Sequence, residues 1–529
     1  FGRRHGDPSR PWNKFAIDLK DERGNRRFSY EGNWRDIFQN WEALGFSYPA
    51  FADNIIAKFV NASTIDGHNP YRISQDGIDW EVEEPEDPWS YIGYWGDHQI
   101  IYLLKLLELS SRFHPGQLAG LLRRPVFSYA NVPYRIKPFT NLLDNPKSTI
   151  DFDHKLADEI AQRVEEIGAD GRLVLNADGS VYNVNLLEKL LVALLGKLGN
   201  FVVGGGIWLN TQRPEWNDAN NALVGHGLSM VTLYYMRRYV RFLQQLVSAE
   251  HLEVELSTEV ANWIDESTTA MNTGIDLLGD GKITPQLRFD LLRSLGSAAG
   301  NYREAVYREV PFSGRQTQPI ENISSMLDSA LVLIDQSIDT NRRDDGLYHA
   351  YNLLKITQGE ATVDALYPML EGQVAVLSAG IIDADEAGDL LHTLFESDVY
   401  RPDQSSFMLY PDRQLPSFLE KNRVPADEVE IIPLLQQMLA DGDTRLITRD
   451  MEGTYRLHAD FANIHYLNQR LDELVSEYGG KVDAARTSLQ ALYEKVFQHR
   501  TFTGRSGSMF GFEGLGCIHW HMVSKLLLA

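Results

Sequence analysis

The chain has 529 residues, with 50 basic and 73 acidic side chains, and its formal net charge of -23 opposes binding to nucleic acid or to an anionic membrane surface. Its single cysteine, Cys517, excludes an intrachain disulfide and a cysteine-based zinc cluster, so we expect a protein of a reducing compartment, the cytoplasm. No apolar stretch approaches the roughly 20 residues that a membrane helix needs.

Helical periodicity dominates the chain. Apolar residues recur at helical spacing over 99–109, 187–198 and 231–247. Alternating patterns are few and short, and the clearest one, over 171–184, predicts a hairpin with Asp178 and Gly179 in its turn. We therefore predict an all-α fold with small β-hairpin insertions.

The domain organisation predicted from this pattern is simple. Polar connections that contain proline occur near 81–90, 311–320 and 401–418, but none has the composition of a flexible linker. We predict an N-terminal extension over 1–29 and one large helical domain over 30–529. A ring of about a dozen helices would account for this length, and its loops would carry the site.

Four polar and aromatic clusters interrupt the helical pattern, and the first spans 30–45. Trp34, Arg35 and Asp36 lie in it, and "NASTIDGHNPYR" follows at 61–72. Adjacent Arg and Asp side chains can donate to and accept from neighbouring hydroxyls of one sugar. The alternative is a surface ion pair beside a capped turn.

The second cluster, "WSYIGYWGDHQIIYLL" at 89–104, places Trp95, Asp97 and His98 before a strongly apolar helix. Aromatic rings such as Trp95 can stack on the apolar faces of sugars, although most aromatic residues belong to the core. Asp97 is either a substrate-binding carboxylate or the N-cap of the helix, with His98 in the first turn.

The third cluster is "RPEWNDANNALVGHG" at 213–227, after the glycine-rich "GGGIWLNTQ". Glu215 and Asp218 are three residues apart, so one helical turn would aim both carboxyls into the same pocket, beside Trp216 and Asn217. Burial and a neighbouring carboxylate raise the pKa of a carboxyl, as a general acid near neutral pH requires. A capping arrangement ahead of a helix from about 227 is the alternative.

The fourth cluster covers 493–529 and surrounds a glycine-rich loop with unlike polar side chains. Arg505, Ser506 and His499 beside such a loop suit an anion, whereas Glu494 and Glu513 would repel an anion and could activate water. The spacing of the histidines matches no metal motif, so we expect neither a metal nor an organic cofactor.

These clusters, in this order, resemble segments of glycoside hydrolase family 94, the cellobiose and chitobiose phosphorylases. "GNWRDIFQN" with "TIDGHNP" is similar to the start of the family's catalytic domain, "GYWGDHQIIYLL" and "EWNDANN" are similar to two later motifs, and "LEGQVAVLSAG" at 370–380 is similar to a further helix. The resemblance implies an (α/α)6 toroid that cleaves β-linked oligosaccharides with inversion. It also implies Asp218 as the general acid and Glu215 at the motif's other acidic place. Arg35, Asp36 and Asp97 would hold the sugar.

The final segment departs from that family, whose phosphorylases bind phosphate through a His and a Thr-Gly pair, because Glu513 stands where the Thr would fall. A carboxylate about 4 Å from phosphate costs on the order of several kcal/mol, which favours hydrolysis. The segment also resembles the ends of inverting trehalase-type (α/α)6 hydrolases, and "YEKVF" then puts Glu494 in the base position. Glu494 and Glu513 both remain candidates for the base.

We therefore predict an inverting hydrolase of glucose-type β-linked oligosaccharides. In the alternative, phosphorolysis, inorganic phosphate is a co-substrate positioned by His499, Arg505 and Ser506. A noncatalytic oligosaccharide-binding protein is a further alternative. The expected partner is an oligosaccharide, and a homo-oligomer is left open. The residues expected to bind the oligosaccharide are Trp34, Arg35, Asp36, Trp95, Asp97, His98, Trp216 and Asn217.

Overall fold

The structure is a computed structural model that describes residues 23–24, 32–70, 72–74, 77–82, 92–95, 99–211, 223–248, 253–279, 281–411, 416–497, 502–503, 509–510 and 520–529. The chain divides into two compact units. The first comprises residues 1–411 and 514–529, and the second comprises residues 412–513. The second unit is thus inserted into the sequence of the first, a division that the prediction of one domain over 30–529 did not include.

Helices predominate in the described part of the first unit, as the periodicity predicted, and the predicted helices at 99–109, 187–198 and 231–247 are confirmed. None of the helices in the described ranges is long and apolar enough to cross a bilayer. The closed ring of helix pairs stays a prediction. In chain order the helices are α1 (Trp34–Ser47), α2 (Ala52–Asn61), α3 (Gln99–Phe113), α4 (Gln117–Leu121), α5 (Phe139–Asp144), α6 (His154–Ile167), α7 (Leu186–Leu198), α8 (Met230–Ser248), α9 (Thr258–Leu278), α10 (Pro285–Val306), α11 (Ile320–Thr340), α12 (Leu370–Ala379), α13 (Ala384–Glu396) and, at the end of the chain, α19 (Trp520–Leu528).

The strands described in the first unit are short, and most of them pair in twos. The largest sheet among the described residues is antiparallel and has five strands, in the order Phe201–Val202, Gly206–Trp208, Gly227–Ser229, Tyr351–Thr357 and Glu360–Ala365. The sequence predicted only small hairpins. The strands are β1 (Gly32–Asn33), β2 (Asn69–Pro70), β3 (Arg72–Ser74), β4 (Gly77–Asp79), β5 (Tyr94–Trp95), β6 (Phe127–Ser128), β7 (Tyr134–Ile136), β8 (Ile150–Phe152), β9 (Asn183–Val184), β10 (Phe201–Val202), β11 (Gly206–Trp208), β12 (Gly227–Ser229), β13 (Glu253–Ser257), β14 (Arg315–Pro319), β15 (Tyr351–Thr357), β16 (Glu360–Ala365), β17 (Tyr400–Arg401) and β18 (Ser406–Phe407).

Helix α7 lies in the core of the first unit. Every one of its residues is buried, including Glu188 and Lys189. The side chain of Asn185 accepts a hydrogen bond of 2.9 Å from the backbone N–H of Glu188 and so caps the helix. Each fully buried leucine contributes about 1.5–3 kcal/mol, so this leucine-rich helix supplies a rigid base for the loops packed on it.

The other long helices pack around this core because each has an apolar face. Helix α8 packs against α3, α11 and α12, and helix α9 packs against α7, α10 and α11. The last helix, α19, contacts α12, which carries the "LEGQVAVLSA" segment. Residues from the beginning, the middle and the end of the chain therefore share one unit.

The hairpin predicted over 171–184 is confirmed at its tip. Leu175 and Val181 form an antiparallel bridge, and the backbone N–H of Gly179 donates to the carbonyl of Asn176 at 3.0 Å. Gly179 has a φ of +82°, the left-handed conformation that glycine adopts without steric cost. The Asp178–Gly179 pair therefore forms the turn.

The second unit has a hydrophobic core of its own. Leu471 of α17 and Leu489 of α18 are almost fully buried in it, together with Met438 of α16. The described elements of this unit are α14 (Phe418–Lys421), α15 (Ala426–Glu430), α16 (Pro433–Asp441), α17 (Ile464–Tyr478), α18 (Gly480–Phe497), β19 (Ile447–Arg449), β20 (Tyr455–Leu457), β21 (Phe502–Thr503) and β22 (Met509–Phe510).

Candidate functional site

Short strand pairs bring the first two sequence clusters together. Asn33 pairs with Arg72 between β1 and β3, so the start of α1 lies beside the end of the "TIDGHNP" segment. Asn69 pairs with Trp95 between β2 and β5, which joins the same segment to the second cluster. Residues that are far apart in the sequence therefore border one region of the first unit.

Asp66, in the "TIDGHNP" segment, is a buried carboxylate with two tyrosine partners. The hydroxyl of Tyr307 donates to Oδ1 at 2.7 Å, and the hydroxyl of Tyr94 donates to Oδ2 at 2.9 Å. Tyr307 in turn accepts a hydrogen bond of 3.0 Å from the backbone N–H of Ile136. Asp66 thus ties the loop after α2 to the segment of β5 and to the residue that follows α10.

Burial determines the protonation of this network. It raises the pKa of the Asp66 carboxyl above its ordinary value, although Arg303 and the two tyrosine hydroxyls act in the opposite direction. Burial first, and then the charge of Asp66, raise the pKa of Tyr94 and of Tyr307 well above the ordinary value of a phenol. Both hydroxyls therefore keep their protons and act as donors near neutral pH.

His68 is stacked on Tyr94, with ring centroids 5.2 Å apart and planes 22° apart. Burial, and then the positive charges of Lys197 and Arg303, hold the pKa of His68 well below its usual range. The ring is therefore neutral at neutral pH. In this position His68 acts as a packed polar ring beside Tyr94.

The backbone of this loop lies directly on α7. Gly67 has a φ of +79°, and a Cβ at this position would lie 2.2 Å from the carbonyl oxygen of Val192. A side chain other than hydrogen is thus excluded both by the conformation and by the contact. Gln99, the first residue of α3, donates through Nε2 to the carbonyl of Gly67 at 3.1 Å and to Oδ1 of Asn69 at 2.7 Å.

A second buried network of hydrogen bonds surrounds Glu188 and Lys189 of α7. Oε1 of Glu188 accepts from the hydroxyl of Tyr129 at 2.9 Å, and both the backbone N–H and the hydroxyl of Ser257 donate to this carboxylate at 2.7 Å. The ammonium group of Lys189 lies 3.5 Å from the centroid of the Tyr129 ring and donates to the carbonyl of Ser63 at 3.1 Å. The contact of Lys189 therefore joins α7 to Ser63, the residue immediately before the "TIDGHNP" segment.

The third cluster joins the same region through its two ends. The backbone N–H of Tyr94 donates to the carbonyl of Thr211 at 3.3 Å, immediately before the segment that contains Asp218. On the other side of that segment, Gly225 donates to Leu209 at 2.6 Å, and Nε1 of Trp208 donates to Gly225 at 3.0 Å. The start of the predicted acid-bearing segment is thus held beside the second cluster, and its end is held against Trp208 and Leu209.

Most of the site residues predicted from the sequence lie outside the described residues. These are Asp218, Glu215, Trp216, Asn217, Asp97, His98, Glu513, His499, Arg505 and Ser506, and their roles stay predictions. Trp34, Arg35 and Asp36 form the first turn of α1, where the backbone alone is described. The helix expected from about 227 begins at Met230, because β12 precedes it.

Two predicted residues can be placed in full. Trp95 has no exposed surface, and its ring is stacked between neighbours that include Phe38 and Tyr102. It therefore offers no open face to a sugar, and its position supports a core role in place of the predicted stacking role. Glu494 lies on α18 in the second unit and is half-buried.

Asp66 and Tyr94 lie in two of the polar segments that stand out in the sequence, but the sequence does not predict their hydrogen bond or the part of Tyr307 in it. The pairing depends on β2 meeting β5 and on α10 ending beside them, and neither contact has a local sequence signal.

Residues 415–500 match the family model described as GH149 phosphorylase insertion domain 2. The matched residues lie within the second compact unit and include Glu494 and His499. A comparison with curated proteins found no match. The family match supports a relationship with glycoside phosphorylases in general, and not with family 94 in particular.

Proposed function

We propose that this chain is a glycoside phosphorylase that cleaves oligosaccharides with inorganic phosphate. The observation that carries the proposal is the match of residues 415–500 to a phosphorylase insertion domain. The position of these residues supports it, because they fall in a unit that is inserted between two parts of the first unit's sequence. The match favours phosphorolysis over hydrolysis, the reaction that the sequence analysis put first.

The first unit would carry the general acid and the residues that bind the sugar. Its clusters follow the order of the family 94 motifs, and contacts of Asn33, Asn69 and Tyr94 support their assembly around one region. The helical content of the unit is compatible with the proposed (α/α)6 toroid. Loops of such a toroid, and not its helices, would supply most of the substrate contacts.

The proposed reaction needs one general acid and one nucleophile. An oxygen of phosphate bonds to the anomeric carbon from the face opposite the leaving oxygen, and the glycosidic bond breaks with its electron pair on that oxygen. Asp218 gives its proton to the leaving oxygen. The products are a sugar 1-phosphate of inverted configuration and a shortened oligosaccharide, and no water is consumed.

Phosphorolysis removes the need for a general base that activates water. Glu494 and Glu513 would then have no such role. For the donors to phosphate we keep His499, Arg505 and Ser506 from the sequence. Arg35, Asp36 and Asp97 would bind the sugar whose anomeric carbon reacts.

The proposed substrates are oligosaccharides of β-linked glucose. The test is to incubate the protein with a panel of them, with and without inorganic phosphate, and to identify the products. We expect a sugar 1-phosphate in the presence of phosphate and no cleavage without it. Release of free sugar at the same rate in both mixtures would mean hydrolysis, and binding without any cleavage would mean a noncatalytic oligosaccharide-binding protein.

A further inference from the structure

We propose that a basic cleft in the first unit, lined by Arg135, Arg163 and Arg308, binds a phosphate group. The cleft has a volume of about 700 Å³ and lies between α6, the tip of the 171–184 hairpin and the segment that follows α10. The cleft borders the candidate site through Ile65 and Tyr307, and its three arginines lie outside the four sequence clusters. We call it the basic cleft.

Arg163, on α6, has two shielded hydrogen-bond donors in its guanidinium group. Its Nε and Nη2 atoms are shielded from solvent and have no hydrogen-bond partner among the described residues. Burial lowers the pKa of the Arg163 guanidinium, and the negative charge of Glu159, one turn earlier on α6, acts in the opposite direction. Shielded N–H donors without an acceptor cost free energy, which a ligand with several acceptor oxygens would recover.

Arg135 presents a second guanidinium in a fixed position. Its central carbon lies 4.7 Å from the centroid of the Tyr307 ring, and the hydroxyl of Tyr307 is held by Asp66. Nε of Arg135 forms an ion pair with Oδ2 of Asp153 at 3.7 Å, a distance too long for a hydrogen bond. Asp153 is itself engaged as the N-cap of α6, because it accepts from the backbone N–H of Leu156 at 3.0 Å.

The charge of the basic cleft differs from that of the chain. Its described lining includes four basic residues and three acidic ones, in a chain whose formal net charge is -23. Lys155 already has Glu159 as a partner at 3.3 Å. Because Arg308 is exposed, it can turn toward a ligand at little cost. The described lining therefore carries an excess of one positive charge, in contrast to the strongly acidic chain as a whole.

Guanidinium groups match the geometry of phosphate oxygens, so phosphate is the anion that this arrangement fits. The choice of phosphate over another oxyanion rests on the proposed function, which places inorganic phosphate and a sugar 1-phosphate in the same solution. Either compound brings the same recognised group. The basic cleft would then sense the supply of phosphate or the level of the sugar 1-phosphate.

The test counts the phosphates that each chain binds. Equilibrium dialysis with radiolabelled inorganic phosphate, in the absence of saccharide, compares the wild-type chain with Arg163→Gln and with the control Arg124→Gln, which alters an exposed arginine outside the basic cleft. We expect Arg163→Gln to bind one phosphate fewer per chain than wild type and the control to match wild type. Equal numbers for Arg163→Gln and wild type would overturn the proposal.

Two further arms complete the experiment. If Arg163→Gln does not fold, as judged by its melting temperature, Arg308→Gln replaces it with the same expected loss of one phosphate. Competition by glucose 1-phosphate for the Arg163-dependent phosphate would support a sugar phosphate as ligand, and its absence would support inorganic phosphate. Displacement by a neutral tetrasaccharide would overturn the proposal. The difference of one phosphate does not depend on turnover, so it can persist even if no sugar 1-phosphate is ever formed.

Discussion

The hydroxyl of Tyr307 donates a hydrogen bond of 2.7 Å to Asp66 across 241 positions of sequence. The second oxygen of Asp66 accepts from Tyr94, whose backbone N–H contacts Thr211. This carboxylate therefore connects the loop after α2 with the residue at which the predicted acid-bearing segment begins.

Two substitutions of Asp66 test how much its hydrogen bonds and its charge contribute to the free energy of unfolding. Asp66→Ala removes the acceptor of two buried tyrosine hydroxyls, so we expect a loss of about 3 kcal/mol in the free energy of unfolding. Asp66→Asn keeps one acceptor oxygen and no charge, and we expect a loss of about 1 kcal/mol. Urea unfolding of both variants measures the difference. Equal losses would show that the acceptor oxygen retained in Asp66→Asn contributes nothing to the stability.

The stability of the first unit should fall in acid because of His226. Burial, and then the nearby charge of Lys147, lower the pKa of His226 from 6.5 to about 4. The folded state therefore holds the neutral ring, and the stability gained from it is complete above pH 6.5 and is lost as the pH falls toward 4. This shift corresponds to about 3 kcal/mol.

Urea unfolding between pH 7 and pH 4 tests that effect. We expect wild type to lose about 3 kcal/mol more over this range than His226→Gln, which cannot be protonated. The comparison removes the contribution of the other titrating groups, which both proteins share. An identical dependence on pH in the two proteins would contradict the burial of His226.

A pair of glycines tests the close contact between the "TIDGHNP" segment and α7. Gly67 and Gly116 both have positive φ angles, but a Cβ at Gly116 would meet no atom within 4 Å, whereas at Gly67 it would lie 2.2 Å from a carbonyl oxygen. Both Ala variants pay for the backbone conformation, which costs about 1–2 kcal/mol. We expect Gly67→Ala to be less stable than Gly116→Ala by about 3 kcal/mol, as measured by urea unfolding.

The proposed general acid is tested by Asp218→Asn, which keeps the shape of the side chain and removes the proton. Turnover should fall about a hundredfold or more, while the affinity for the oligosaccharide is retained. Initial rates and calorimetric titration measure the two quantities. Asp398→Asn, at an exposed position after α13, is the matched control and should keep the wild-type rate. A rate for Asp218→Asn equal to that of the control would exclude Asp218 as the acid.

The sequence predicted the elements whose signal is local. The leucine period of α7 and the Asp178–Gly179 turn each depend on neighbours within a few residues, and both are confirmed. The five-stranded sheet was not predicted, because β12 and β15 are joined across a long stretch of chain and have no sequence feature in common.

The boundary of the second unit also escaped prediction, for a physical reason. It begins inside the polar connection near 401–418, which has too few glycines and serines to resemble a linker. Its helices α17 and α18 have the same amphipathic pattern as those of the first unit. The second core can be recognised only from the residues that are buried together in the structure, such as Leu471 and Leu489.

The central claim is that phosphate is the nucleophile, and phosphorus NMR of the reaction mixture tests it most directly. The protein is mixed with a β-linked gluco-oligosaccharide and inorganic phosphate, and the spectrum is followed with time. We predict a growing signal of an α-configured sugar 1-phosphate, since inversion at a β-linked carbon gives the α product, with an equal loss of inorganic phosphate. A constant phosphate signal while the oligosaccharide shortens to free sugar would contradict the account.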